Sequence, residues 1–375
     1  MTATKRTVPF FKPYFPERMQ RSISEALNGV LASGALMMGP YKERFERNFA
    51  NLCGVEHAVS LNSATTALQI SLEYFRAAGH EVLVPAGSFV TDVSAVLFAG
   101  GEPVLVDMNP ETLSFDLADL ERKVTANTRG VIWVHLTGVI SHEYREIQAF
   151  ARRHGLFLLE DAAHAHGATI AGQAAGSLGD AGVFSFYPTK VVTAGTGGML
   201  TTNDAKLKRY AEEMRLFGKD VESGDVVRLG NDWFLDEIRC CVGCHQVEAL
   251  DEQLRCRRRI ARRYSEALRN QPGLRLLNVP RDHQPAWYHY TVFVDEAIDY
   301  DALASRLRKE HGVHTKRIYK PTHHEPVFAH LNDGTLGATE RTLDRSLCLP
   351  LYVDLSDADV AYAANAVVAA VRAVS

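Results

Sequence analysis

Lys190 stands in "FSFYPTKVVTAGTGGML", residues 184–200, after a Ser-Phe-Tyr-Pro-Thr turn and before a run of small residues. The nearest charged residues along the chain are Asp180 and Asp204. An amine in an apolar, glycine-rich segment loses proton affinity as it loses solvent, and a neutral lysine attacks carbonyls. Upstream, "LFLLEDAAHAHG", residues 156–167, is an apolar run that ends in Glu160 and Asp161. Taken alone, Asp161 reads as the cap of a following helix. With Lys190 after the next apolar run, the two become the pair that pyridoxal 5'-phosphate chemistry requires. The amine forms a Schiff base with the aldehyde, and the carboxylate keeps the pyridine nitrogen protonated so that the ring draws electrons.

Such a cofactor also needs a cradle for its phosphate and a wall for its ring. "SLNSATTAL", residues 60–68, puts Ser63, Thr65 and Thr66 where a strand turns into a helix. Backbone N–H groups and hydroxyls at a helix N-terminus make an anion site, with a plain N-cap as the alternative. Ser185, five residues before the lysine, adds a hydroxyl. Phe89 in "VPAGSFVTD" could stack on a flat ring, although by itself it reads as a core residue.

These groups must be positioned, and the pattern around them says how. "PERMQRSISEALNGVLASG" has Met19, Ile23, Leu27 and Val30 at helical spacing and Gly34 as a stop, and "YKERFERNFANLCG" follows as a second helix. Short strand-type runs then appear at "HAVSL", "EVLVP", "PVLVD", "GVIWVH" and "LFLLED", separated by helix-length segments such as "TTALQISLEYFRAAG" and "EYREIQAFARRHG". The fold class is α/β, a mostly parallel sheet between helices, with ligands expected at the carboxyl ends of the strands. One long helix or two joined ones follow Phe234. Beyond them "WYHYTVFVD", "ALASRLRKEHG" and an Ala-rich terminus indicate a smaller α+β unit. The expected division is 1–250 for a large cofactor-binding domain and 251–375 for a small C-terminal domain.

The bulk numbers exclude several classes. With 41 basic and 45 acidic residues the net charge is −4, which gives no electrostatic case for nucleic acid or an anionic membrane. No apolar run approaches the roughly 18–20 residues that span a bilayer, and the N-terminus has no apolar signal region. Six cysteines in 375 residues make no disulfide scaffold. A cytoplasmic protein is expected. Cys240, Cys241, Cys244 and His245 have helical spacing, but a closed zinc site usually takes ligands from at least two segments. They read as small residues packed on a helix, and no metal is expected.

The blocks quoted above, with "SGALMMGPYKERFERNFANLCGVEHAVSLNSATTAL", "EVLVPAGSFVTDVSAVLFAGGEPVLVDMNPETLSFD" and "LCLPLY", resemble the DegT/DnrJ/EryC1/StrS family. These are sugar aminotransferases of the aspartate aminotransferase fold, the type I fold of pyridoxal-phosphate-dependent transferases. The resemblance runs through nearly the whole chain. It implies that Lys190 is the Schiff-base lysine and Asp161 the partner of the pyridine nitrogen. His164 would lie against the cofactor ring and Phe89 would stack on it. Ser185 and the backbone amides of Ala64 and Thr65 would hold the phosphate. In "GNDWFLDE" the family's asparagine, which reaches the phosphate of the other subunit's cofactor, falls on Asp232 beside Asn231, so a homodimer with shared active sites is implied. Tyr319 and His323 match a Tyr…His pattern near the substrate opening.

The chain departs from the family at Ala64 for glycine, Asp232 for asparagine, Phe234 for arginine, Thr196 for glutamate and Thr137 for tyrosine. If position 64 needed a positive φ, Ala64 would cost about 1 kcal/mol. The site region is rich in neutral hydrogen-bonding groups (Thr137, Tyr187, Tyr319, His323), with Arg317 as a nearby cation. The expected reaction moves an amino group from an amino-acid donor, glutamate or glutamine, to a keto-sugar, ketocyclitol or related small molecule. A non-transaminating dehydratase or lyase on the same scaffold is the alternative, and a non-catalytic regulator the third class.

Overall fold

The computed structural model describes residues 6–374. The strands His57–Leu61, Gly198–Thr202, Ala181–Ser185, Phe157–Asp161, Thr128–Val134, Glu81–Pro85 and Glu102–Val106 lie side by side in that order as one sheet. Gly198–Thr202 runs antiparallel to both its neighbours, and every other neighbouring pair is parallel. Parallel strands joined by helical crossovers are covered on both faces, which is why these runs are apolar at nearly every position. Successive side chains then serve opposite layers. Val131 and Trp133 pack into one core with Phe45, Phe49 and Phe184, while Ile132 and Val134 join Leu68, Ile70 and Val93 on the other side.

The helix Glu17–Ser33 buries the stripe Met19, Ile23 and Val30 and ends at Gly34 in the left-handed region, φ 68°. The helix Glu237–Glu248 meets the helix Leu250–Leu268 at Ala249, so two joined helices replace a single long one. The second of these packs on the C-terminal helix Asp357–Val374. With the helix Tyr300–Lys309 they cover an antiparallel sheet of Leu274–Leu276, Tyr290–Val294 and Ser346–Leu349. We keep residue 250 as a proposed division, with one addition. Val8 bridges Val313 and is buried with Leu307 and Val360, and Arg6 pairs with Asp359, so residues 6–8 lie on the C-terminal unit.

Candidate active site

At the carboxyl ends of the strands lies a cavity of about 460 Å³ lined by Lys190, Asp161, Ser185, Phe89, His164 and Tyr319, with Ala64, Thr65 and Tyr187 on its wall. A larger depression of about 850 Å³ lies elsewhere, between Tyr74, Arg129, Phe157 and Tyr210, away from the Lys190–Asp161 pair.

Adjacent acids separate because a strand alternates faces. Glu160 turns away and is fully engaged. It accepts the N–H groups of Gly176, Leu178 and Gly179 at 2.8, 2.6 and 2.8 Å and meets His135 Nε2 at 2.7 Å. Asp161 turns to the cavity, where Oδ1 accepts only the Ala163 N–H, at 2.9 Å. No helix starts there, since residues 162–168 form turns, so the helix-cap alternative fails. Burial pushes the Asp161 carboxyl up, opposed by the Ala163 N–H and by Lys190.

Lys190 follows the strand Ala181–Ser185 in a turn closed by its own N–H on the Tyr187 carbonyl at 2.9 Å. The Thr189 hydroxyl bonds the Tyr288 hydroxyl at 2.8 Å, and Lys190 Nζ lies 4.8 Å from the Tyr288 ring centre. Burial lowers the amine to about 8; the charge of Asp161 resists the shift and Lys316 adds to it.

Opposite, Ser63 caps the helix Ala64–Tyr74 by accepting the Thr66 N–H at 3.1 Å. The Ala64 and Thr65 N–H groups of that first turn have no partner within the helix. Ala64 is the first helical residue and is not among the positive-φ positions, so the feared strain is absent. Gly198 brings the antiparallel strand against this cradle, since a Cβ there would lie 2.4 Å from the Ser63 carbonyl carbon. Thr66 is taken up by Asn62 Oδ1 at 2.7 Å.

Phe89 is 47% exposed, which overturns the core reading, and its ring lies 5.3 Å from that of Tyr319. His164 Nε2 meets the Tyr319 hydroxyl at 2.8 Å, and its ring stacks on Tyr288 at 4.1 Å. Burial, then Lys190, holds His164 well below the usual histidine range, so it is neutral. Thr137 is buried in the left-handed region at φ 60°, an uncommon place for a β-branched residue, and its hydroxyl has no partner. Its carbonyl accepts the His289 N–H at 3.3 Å, and neither residue lines the cavity, so the expectation of Thr137 as a site group is not met.

Other expected residues are not brought to this cavity. Arg317 turns outward onto the Tyr300 ring and Asp301, and Lys316 takes the wall position instead. His323 is buried against Glu340 at 3.0 Å, beside His324. Asn231 and Asp232 are exposed, in a loop tied to the cradle by the Asn62 N–H on the Trp233 carbonyl at 2.9 Å. Cys240 and Cys244 face the carbonyls of Leu235 and Tyr41, in a helix packed on Pro40–Cys53. Tyr288, Lys316 and Thr189 are wall residues that the sequence reasoning missed. Thr189 shared the Lys190 turn, but nothing local to Tyr288 or Lys316 set them apart from many inert residues.

The residues present fit pyridoxal phosphate: a half-buried amine, a buried carboxyl, an exposed aromatic wall and an open helix N-terminus converge on one space. Among the described residues no helix is long and apolar enough to cross a membrane. The family model of the DegT/DnrJ/EryC1/StrS aminotransferases matches residues 17–368. The chain is similar to the GDP-perosamine synthase of Caulobacter vibrioides, 35% identical over 86% of this chain and 88% of that one. It is also similar to the spore coat polysaccharide biosynthesis protein SpsC of Bacillus subtilis, 33% identical over 93% and 94%. Among solved structures, the aminotransferase TlmJ of Streptoalloteichus hindustanus superposes with a TM-score of 0.91 at 32% identity, over 99% of this chain and 100% of that one.

Proposed function

The chain belongs to the DegT/DnrJ/EryC1/StrS aminotransferase family and is a pyridoxal-phosphate-dependent enzyme, and on that premise we propose that it moves an amino group from glutamate or glutamine to a keto-sugar. The cavity wall carries this reading. Beside apolar side chains such as Leu68, Phe89 and Val134, and apart from Lys190, Lys316, Asp161 and His164, its polar side chains are all hydroxyls of Ser, Thr and Tyr, and no arginine lines it. A polyhydroxylated ketone is gripped by such neutral donors and acceptors, whereas a dicarboxylate acceptor would call for paired arginines. The sugar named in the relative GDP-perosamine synthase supports the same class. Nothing in the cavity or among the relatives supports the non-transaminating alternative.

Lys190 would hold the cofactor's aldehyde carbon and Asp161 its ring nitrogen. Phe89 and His164 would flank the ring, and Ser185 with the Ala64 and Thr65 N–H groups would take the phosphate. Bound there, pyridoxal phosphate supplies an electron sink for negative charge at the reacting carbon. Lys190 Nζ, lowered to about 8 by burial, takes up and returns a proton near neutral pH. Tyr288 and Thr189 hold the lysine loop against the cavity, and Lys316 offers its charge to the donor's α-carboxylate. That carboxylate is one bond from the reacting carbon and so must lie close to Lys190.

The same reading includes a homodimer with shared sites and a cytoplasmic location. The loop bearing Asn231 and Asp232 also carries Val226, Val227 and Leu229, the last 97% exposed, and exposed apolar clusters seek cover. The six cysteines are free thiols, which suits a reducing compartment. Mixing Lys190→Ala subunits with Asn231→Ala/Asp232→Ala subunits should restore part of the activity, because each hybrid keeps one whole site. Proven hybrids without recovery would refute sharing.

For the reaction itself, glutamate or glutamine alone should change the absorbance of the bound cofactor and release one 2-oxo acid per site. A panel of nucleotide-linked keto-sugars and ketocyclitols then identifies the acceptor. If no amino acid changes the spectrum while a sugar does, the transfer reading falls.

A further inference from the structure

Asp92 is an acid that the reaction, as described so far, does not use. It sits in the first turn of the helix Val90–Phe98, just past the wall residue Phe89. It is wholly excluded from solvent, and neither carboxylate oxygen has a hydrogen-bond partner. An ionised carboxylate left so is among the costliest arrangements a core can hold. The groups that face it are the Asp161 carboxyl, within hydrogen-bonding reach, the Ser88 hydroxyl, the Lys190 amine and the Tyr319 phenol. His135 acts on Asp161 from the adjoining strand. The helix Ala64–Tyr74, packed alongside, brings one charged residue, Glu73, held by Gln69.

Two carboxyls in contact inside a dry site do not both ionise; they share one proton, as a pair. Asp161 has the Ala163 backbone N–H and then Lys190 to favour its charged form, whereas Asp92 has no backbone donor, and Ser88 and Lys190 oppose the effect of its burial without overcoming it. The proton therefore belongs on Asp92. So placed, its O–H gives Asp161 a second donor and leaves only one of the two Asp92 oxygens unbonded.

We propose that Asp92 is a proton-holding positioning residue, a carboxylic acid whose O–H donates to the Asp161 carboxylate and so sets the orientation and basicity of the group that meets the cofactor's ring nitrogen. This rests on the reading of Asp161 given above. Asp161 is then steered from both sides, by Ala163 through its backbone and by Asp92 from below. The pair carries one negative charge, balanced by the cationic form of Lys190.

The test uses the full chain with and without cofactor. Infrared difference spectra at pH 7 should show the carbonyl stretch of a buried carboxylic acid in the wild type and lack it in Asp92→Asn. Absence of the band in the wild type, or its survival in Asp92→Asn, overturns the proposal. The pH titration of the bound cofactor's absorbance gives the second measurement. Asp92→Asn and Asp92→Thr both keep a donor toward Asp161 and should titrate close to the wild type, while the isosteric Asp92→Val lacks one and should move the midpoint. Three superimposed titrations would overturn the positioning role. Asp92→Thr replaces Asp92→Asn in both measurements should the amide fail to fold. Failure of the underlying reading looks different: Asp161→Asn would leave the cofactor titration unmoved while the infrared band persisted.

Discussion

Two places in this molecule bury opposite charges, and they are built on opposite terms. Beside the sheet edge, Arg215 is 1% exposed and donates to Glu46 at 2.6 Å and to the Ser60 carbonyl at 2.8 Å. Glu46 also accepts the Ser60 N–H and hydroxyl at 2.9 and 2.8 Å. Burial pushes the Glu46 carboxyl up, but Arg215 and Lys42 outweigh it and hold it below its usual value. In the cavity, Asp161 has one backbone donor and Lys190 no ion-pair partner within the described residues. A buried charge paired with an opposite one, as Arg215 is through Nη1 although its Nε and Nη2 are unbonded, holds the fold; one left without an ion pair is available for chemistry. Variants that remove each charge should therefore separate stability from turnover.

The largest effect belongs to Lys190→Ala. Turnover should fall by about 10⁴-fold or more, since both the cofactor tether and the proton carrier are lost, while the melting temperature holds or rises. Borohydride trapping of bound cofactor followed by peptide mapping should put the label on Lys190. Label on another lysine would remove the cavity from the comparison. The amine's proton affinity sharpens the point. It is about 8 in the folded chain and about 10.4 unfolded. Between those values the unfolded chain holds more protons, so stability rises with pH. Cofactor-free Lys190→Met should thus exceed the wild type in stability at pH 7, with the gap closing toward pH 10.

Next comes the engaged pair. Arg215→Met should cost about 3–5 kcal/mol by stranding Glu46, with turnover per folded molecule unchanged. Glu46 has a lowered folded value, so its contribution is present above about pH 4.3 and is lost as the pH falls through the folded value. The variant's deficit should therefore shrink in acid. A variant that melts like the wild type but turns over slowly would invert the comparison.

How much of this was legible along the chain follows from the range of the interactions. The strands were, because burial on both faces leaves an apolar run, and Lys190 and Asp161 were, because each follows such a run. That Glu160 and Asp161 would divide between fold and chemistry depends on which face of Phe157–Asp161 meets the cavity, and the parallel pairing with Thr128–Val134 and Ala181–Ser185 sets that. Lys316 and Arg317 were confused for a related reason. Lys316 pairs with Cys348 of the strand Ser346–Leu349, a contact that no local pattern announces. The placement of Val8 against Val313 is equally long-range. Asp92 was unreadable as an acid facing an acid, since in an apolar helical stretch it looks like a solvent-facing residue.

Lys316 tests whether the wall also sorts substrates. Lys316→Met should raise KM for the amino-acid donor about tenfold, the share of one charged contact, and leave KM for the acceptor nearly unchanged. The reverse split would move this cation to the acceptor's anionic group.

The smallest effect expected is that of Tyr319→Phe. The Tyr319 hydroxyl and His164 Nε2 are 2.8 Å apart, and His164 Nδ1 has no partner. Because burial keeps the imidazole neutral, one of its nitrogens bears hydrogen, and the phenol is the group that decides which way the ring sits. Removing it forfeits about 1 kcal/mol of orientation, which corresponds to roughly a fivefold loss in turnover. The stacking of His164 on Tyr288 at 4.1 Å survives the change and limits the damage. The signature to measure is a fall in kcat with an unaltered melting temperature. A melting temperature that dropped while kcat held would show that this bond belongs with Arg215 and Glu46, among the contacts that hold the fold.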